Sequence, residues 1–316
     1  MSVLSRPYFH DEQAAFDFVE AIIWANGPVC HHCGCTDHIT AIKPNPEKRV
    51  RFGLKKCRDC KGQFTVRMGT IFEESKLPMT KWLQAIFLMT ASKKGVSAHQ
   101  LHRTLEVTYK TAWFLAHRIR AAMASGELSP FGSGGGAVEV DETFIGRDPE
   151  VPVQGKYVRI THMNKILTLV DRESGRAFST VVDDLTIAEI APILQANISH
   201  EARLMTDESR LYPRIGRGFA EHNIVTHSKD EYVRGDIYTN TVEGYFSIFK
   251  RGMKGVYQHC ARRHLHRYMA EFDFRYSYRV RKGFDDTQRA VKALEGVVGK
   301  RLTYRRTDER AEGGPI

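Results

Sequence analysis

Ala137-Val138-Glu139-Val140-Asp141-Glu142-Thr143-Phe144-Ile145 organises the larger half of this 316-residue chain. Its β-branched and aromatic residues read as a strand. Val138, Val140 and Phe144 flank Asp141, so burying the strand takes a carboxylate inside with it. A buried charge is costly unless it is paired or metal-bound. Working forward, Lys165 to Val170 reads as a second strand and Asp171 to Gly175 as a turn. Arg176 to Val182 returns as a third strand. Ile187 to Ala196 reads as a helix, and Arg203 to Thr206 as a short fourth strand that ends at Asp207. Ile224 to Thr226 is the expected fifth strand, and from Asn240 to about Tyr278 the pattern is helical.

Three strands in a meander, a helix, then alternating strands and helices is the order of an RNase H-like core, a mixed sheet flanked by helices. Metal-dependent phosphoryl transfer needs two or three carboxylates that converge on a pair of Mg²⁺ or Mn²⁺ ions. Asp141 on the first strand, Asp207 after the fourth and Glu243 in the first turn of a helix stand at suitable places. Glu139 and Glu142 are rivals for the first acid, and Glu139 shares the Asp141 face by period two.

Working backward, Ser133-Gly134-Gly135-Gly136 reads as a linker. It lacks the Gly-Lys-Ser/Thr ending of a phosphate loop and precedes a strand. Before it, Pro78 and Thr80 open a helix from Met79 to Ser92. Ser97 caps a short helix through Leu105, and Thr108 caps another, Tyr109 to Met123. A tight turn between helices, the second of them basic, is helix-turn-helix grammar. Lys110, Arg118 and Arg120 are the candidate DNA contacts on that second helix.

Nearer the N-terminus stand Cys30-His31-His32-Cys33 and Cys57-Arg58-Asp59-Cys60. Two C-x-x-C loops joined by a hairpin-length segment close a structural Cys₄ zinc site, a zinc ribbon from about Val29 to Val66. Cys35 is a competing ligand by position. His31 and His32 read as solvent-facing, and His259, His264 and His266 as phosphate contacts or core residues. A helix over residues 9–24 precedes the ribbon. The expected units are therefore 1–75 (helix and ribbon), 76–126 (helix-turn-helix), 127–136 (linker), 137–284 (RNase H-like domain) and 285–316 (a short helix and a loose tail).

Lys+Arg number 47 against 37 Asp+Glu, a formal charge of +10. That excess favours a polyanionic partner. The longest strongly apolar run, Trp82 to Thr90, is too short for a bilayer. Met1 to Phe18 has no signal-peptide core. Only Cys35 and Cys260 lie outside the quartet, which argues against a disulfide framework. A cytoplasmic, nucleoid-associated protein is expected.

Val138 to Gly146 (VEVDETFIG), Met205 to Ser209 (MTDES) and Thr239 to Gly252 (TNTVEGYFSIFKRG) resemble the catalytic segments of bacterial DDE-type insertion-sequence transposases. Lys61 to Ser97 and Thr111 to Arg120 are similar to the group with an N-terminal zinc ribbon. The resemblance runs from about Pro28 to Arg279. It implies that Asp141, Asp207 and Glu243 hold Mg²⁺ or Mn²⁺, and that Lys250, seven positions after Glu243, contacts phosphate beside the site. Arg251 is a further candidate DNA contact. Some members carry Asn at the third metal position, and Asn240 stands one turn before Glu243. Glu243 is preferred for its charge and for its spacing to Lys250. The implied activity is binding of terminal inverted repeats, end cleavage and strand transfer into target DNA, by a homodimer or larger assembly on DNA. The alternatives are a non-catalytic DNA-binding regulator and a simple RNase H-like nuclease.

Overall fold

The computed structural model describes residues 2–45, 47–124, 129–153, 159–300 and 302. The first residues of the expected linker, 127 and 128, and the expected loose tail, 305–316, lie outside them. The chain divides into two compact units.

The first unit takes residues 1–86, 98–122 and 293–316. Helix α1, Glu12–Ile23, starts where the Asp11 carboxylate accepts the Ala14 N–H at 2.7 Å, a side-chain N-cap. Strands β1 (Ile39–Ala41), β2 (Lys55–Cys57) and β3 (Gln63–Phe64) form an antiparallel ribbon. Helix α2, Met79–Ala91, begins in this unit. The Glu12 carboxylate accepts from the N–H groups of Met79 and Thr80, at 2.7 and 3.2 Å, and so satisfies donors that a helix start leaves open. Helices α3 (Ala98–Leu105) and α4 (Tyr109–Met123) follow, joined by three residues that include Glu106 at φ +52°. Ile71, Phe72, Trp82, Leu101, Leu105, Leu115 and Ile119 are buried here, with Phe72 edge-on to Trp82 at 5.0 Å.

A segment from the far end of the chain completes this unit. Val298 bridges Thr70, the Ile71 N–H donates to Val297 O, and Val297 is fully buried. Short-range sequence reading has no handle on such a pairing.

The second unit takes residues 87–97 and 123–292. Its sheet is built from β4 (Ala137–Arg147), β5 (Met163–Asp171), β6 (Ala177–Val182), β7 (Arg203–Thr206) and β8 (Glu221–Ile224). The order is β6-β5-β4-β7-β8. β4, β5 and β6 form an antiparallel meander, and β4, β7 and β8 are parallel. This is the RNase H-like arrangement. The fifth strand lies at 221–224, earlier than the expected 224–226.

Helix α5 (Ile187–Asn197) supplies Ile190 and Leu194 to a core with Val138, Val140, Leu167 and Leu169, and the single turn α6 (Tyr212–Ile215) adds Tyr212. A short hairpin, β9 (Val233–Arg234) with β10 (Ile237–Tyr238), then leads into α7 (Asn240–Gly252). Five residues of π-helix, Met253–Tyr257, extend α7 before α8 (Arg262–Ser277). Tyr245, Phe249, Leu265 and Phe272 pack from α7 and α8 against Ile166 and Val170. Helix α9 is Asp286–Glu295.

The glycine run is not a free tether. Phe131 is buried and bridges Ile198, the Gly132 N–H donates to Asp171 at 2.9 Å, and the Arg203 N–H donates to Gly136 O at 3.0 Å. Gly132, Gly134 and Gly135 have φ of +69°, +76° and +85°, a region that side chains disfavour. Glycine serves here to shape a tight docked turn at the entrance of β4.

Candidate metal centres and nucleic-acid interface

In the ribbon, the sulfurs of Cys30, Cys33, Cys57 and Cys60 all lie within 4.8 Å of one another. Cys30 Sγ is 3.6 Å from Cys60 Sγ, and Cys33 Sγ is 3.7 Å from Cys57 Sγ. Four thiolates at about 2.3 Å from one tetrahedral ion stand about 3.8 Å apart, so the cage fits Zn²⁺. Cys30 and Cys57 are buried with Phe64, and Trp24, Cys35 and Met68 pack against them. Cys35 is outside the quartet, and His32 Nε2 lies 3.2 Å from Gln63 O.

In the second unit, parallel pairing sets Glu139 opposite Met205. Asp141 on β4 therefore lies close to Asp207, one residue past the end of β7. Oxygens of Asp141, Glu142 and Asp207 come within 4.8 Å of one another. Burial pushes the Asp141 carboxyl up to about 7, helped by the charges of Glu142, Asp207 and Glu243. Burial also raises Glu142 to about 7, with Asp207 adding to it. Asp207 Oδ1 accepts the Ser209 N–H at 2.9 Å, and the buried Tyr212 hydroxyl donates to Glu142. Crowded, half-desolvated carboxylates are a poor arrangement for bare anions and a good one for divalent cations.

Glu243 stands beside this group in the first turn of α7, with its side chain 45% exposed. Its Oε1 is 3.5 Å from His227 Nε2 and 3.4 Å from Thr239 Oγ1. His227 carries no sequence signal, because it sits in a loop that only folding brings to Glu243. Asn240, Gly244 and Ile248 line a cleft of about 770 Å³ along α7. Lys250 Nζ is 6.0 Å from the Phe246 ring, and Arg251 is exposed and bonded to Ser247. His264 and His266 lie on α8, outside the carboxylate group, and burial lowers the pKa of both.

Glu139 has a different task from the one its strand face indicated. Its side chain is fully buried, and Oε1 is 2.6 Å from Arg172 Nε. Oε2 accepts the N–H groups of Thr241 and Val242 at 2.8 and 2.9 Å, a buried anion at the start of α7. Arg172 also donates to the carbonyls of Asp236 and Tyr238 and stacks on the Tyr238 ring at 3.6 Å. Glu139 and Arg172 thus fix the segment that carries Glu243, and both oxygens of Glu139 are occupied.

Two of the expected DNA contacts are displaced by the fold. Arg118 and Arg120 are only 5% and 2% exposed. Arg118 donates to Glu73 O and Leu302 O, at 2.8 and 3.1 Å. Helical spacing marks the two as basic positions on α4, but segments distant in sequence cover that end of the helix. Lys110 is exposed, as are Thr108 and Tyr109 beside it.

The raised carboxyls give a pH prediction. Free carboxylates titrate near about 4, whereas Asp141 and Glu142 do so at about 7. Between those limits the folded protein keeps protons that the unfolded chain has released. These groups therefore make the metal-free protein less stable as pH rises through that window, with no further loss above it. Asp273, raised to about 6 by burial, acts in the same direction. Thermal melts without divalent metal should show the melting temperature falling from about pH 5 to about pH 7. Asp141→Asn should flatten the slope, and Mg²⁺ should restore stability at the alkaline end. A slope unchanged by Asp141→Asn would show that Asp141 is not held protonated.

A four-thiol ribbon and an RNase H-like sheet that gathers carboxylates from the middle of one strand and the end of its parallel neighbour are the layout of a DNA-cleaving enzyme of the transposase class. Residues 134–277 match the family model described as the ISXO2-like transposase domain, and residues 10–63 match the transposase zinc-ribbon domain. The chain is 26% identical over 262 residues to the "Uncharacterized protein in transposable element ISH50" of Halobacterium salinarum, covering 77% of this chain and 83% of that one. Among solved structures, one similar chain comes from the cryoEM structure of a simian T-cell lymphotropic virus intasome in complex with PP2A regulatory subunit B56 gamma. It shares 14% identity, covers 74% of this chain and 78% of that chain, and has a TM-score of 0.31, too low to carry an argument. The chain thus carries a transposase zinc-ribbon domain followed by an ISXO2-like transposase domain. Among the described residues no helix is long and apolar enough to cross a membrane.

Proposed function

We propose that this transposase binds the terminal inverted repeats of its element, cleaves a phosphodiester at each end and joins the freed 3′-OH to target DNA. The observation that carries the reading is the convergence of Asp141 and Glu142, midway along β4, with Asp207, just past the end of β7, and the Glu243 charge felt at Asp141. Asp141, Asp207 and Glu243 are assigned to hold two Mg²⁺ or Mn²⁺ ions. Bound there, the ions activate the attacking oxygen and stabilise the leaving one. In the first step water displaces the 3′ oxygen, leaving a 5′-phosphate and a 3′-OH. In the second, that hydroxyl attacks a target phosphodiester and a target 3′-OH departs, so no covalent protein intermediate is needed. Lys250 and Arg251, on the same helix as Glu243, are assigned to the flanking phosphates.

End recognition is assigned to α3 and α4, with the exposed start of α4, Thr108 to Lys110, in the place of a recognition helix. Holding two ends together calls for at least a dimer on DNA, and such a protein would work at the nucleoid.

The test is incubation of the full chain with Mg²⁺ and DNA carrying the repeats from its own locus. Nicks with 3′-OH ends, followed by joined products, are expected. Specific binding without cleavage in Mg²⁺ or Mn²⁺ would leave a DNA-binding regulator, and cleavage without joining a nuclease.

A further inference from the structure

The ribbon carries a second group of ligand-type side chains. Cys35 lies two residues past Cys33, His38 precedes β1, and Asp59 stands inside the second C-x-x-C. A sulfur, an imidazole nitrogen and a carboxylate oxygen from these three lie within 4.8 Å of one another. His38 Nδ1 is 2.8 Å from Asp59 Oδ1, and the Cys35 thiol bonds the same carboxylate. None of the three belongs to the four-thiol cage.

The frame beneath them is built. The Cys30 N–H donates to Cys35 O at 2.9 Å, and the Arg58 N–H donates to His38 O at 2.8 Å. Ile39 pairs with Cys57 across β1 and β2. The backbone that places the four thiols therefore also places these three side chains. His38 and Asp59 are 66% and 49% exposed, so an ion reaches them without opening the fold.

We propose that Cys35, His38 and Asp59 form a second cation site in the ribbon, selective for a borderline-soft divalent ion such as Zn²⁺. Thiolate, imidazole and carboxylate form a zinc donor set. Mg²⁺ and Ca²⁺ prefer all-oxygen cages and are disfavoured. The ion replaces the thiol proton, which goes to solvent, and the imidazole binds in its neutral form. Three protein ligands leave the fourth position to water. An exposed three-ligand site exchanges more readily than the buried four-thiol cage, and it adds a second tie between the two knuckles. This proposal does not depend on the catalytic reading.

The test uses the full chain in equilibrium dialysis against excess Zn²⁺, with ions per chain counted by elemental analysis and native mass spectrometry. The wild type is expected to hold one ion more than either Cys35→Ser or His38→Ala, with unchanged circular dichroism. A Co²⁺ titration of the wild type reads the same question without any variant. Two steps with distinct thiolate–cobalt absorption are expected, the later one lost in His38→Ala. A single thiolate–cobalt step in the wild type overturns the site and leaves the triad as a hydrogen-bonded clip. An ion count in both variants equal to that of the wild type also overturns it.

Discussion

Asp141→Asn and Asp207→Asn are each expected to lower cleavage and joining of transposon-end DNA by about 10²–10⁴-fold. Each change keeps the side chain's size and removes a charge that the ions require. A loss of roughly 3–5 kcal/mol of transition-state stabilisation corresponds to that factor. Glu243→Gln should fall in the same range, and Asn240→Ala should be milder, since an amide brings no charge to a divalent cation. Specific DNA binding, read by gel shift, should survive in all four variants or tighten where a charge that repels phosphate is lost. Wild-type cleavage by Asp141→Asn would end the two-metal reading. A larger loss for Asn240→Ala than for Glu243→Gln would move the third position to Asn240.

Cys57→Ser is expected to release the ribbon zinc and unfold the segment around 29–66. In a module whose three strands span two or three residues each, the metal supplies much of the folding energy. Cys57 is fully buried, so the serine hydroxyl also enters an apolar setting beside Phe64. Elemental analysis should show the cage ion lost, and limited proteolysis should open the ribbon. The RNase H-like unit should hold, because its sheet and cores are complete within residues 87–97 and 123–292. An unchanged zinc content in Cys57→Ser would remove that sulfur from the cage.

The short-range patterns of the chain were sufficient for most of its elements. Residues four apart on one helix or two apart on one strand experience the same surroundings, so burial writes a period into the sequence. That is how α4, β7 and the meander were legible with nearly their observed limits. The two C-x-x-C loops were legible because zinc geometry demands local spacing. Asp141 stood out as an acid in an apolar strand and Asp207 as the acid that ends another. Glu243 stood out as the acid in the first turn of a helix, and the family resemblance added Lys250.

What escaped depends on partners remote in sequence. Arg118 looks like a surface cation until Glu73 and Leu302 cover it. Ser133 to Gly136 looks like a tether until Asp171, Glu201 and Arg203 bond the turn around it. Glu139 looks like a rival for the first metal acid until α7 arrives with two open N–H groups. His227 has no local mark at all. The sequence by itself determined the elements, the thiol cage and the acids on or after the strands, because those follow from local period and spacing. Only the tertiary structure decided which charges are gathered together, which are consumed inside the fold and which stay exposed. A side chain's chemistry is intrinsic, but its burial and its partners come from segments a hundred residues away.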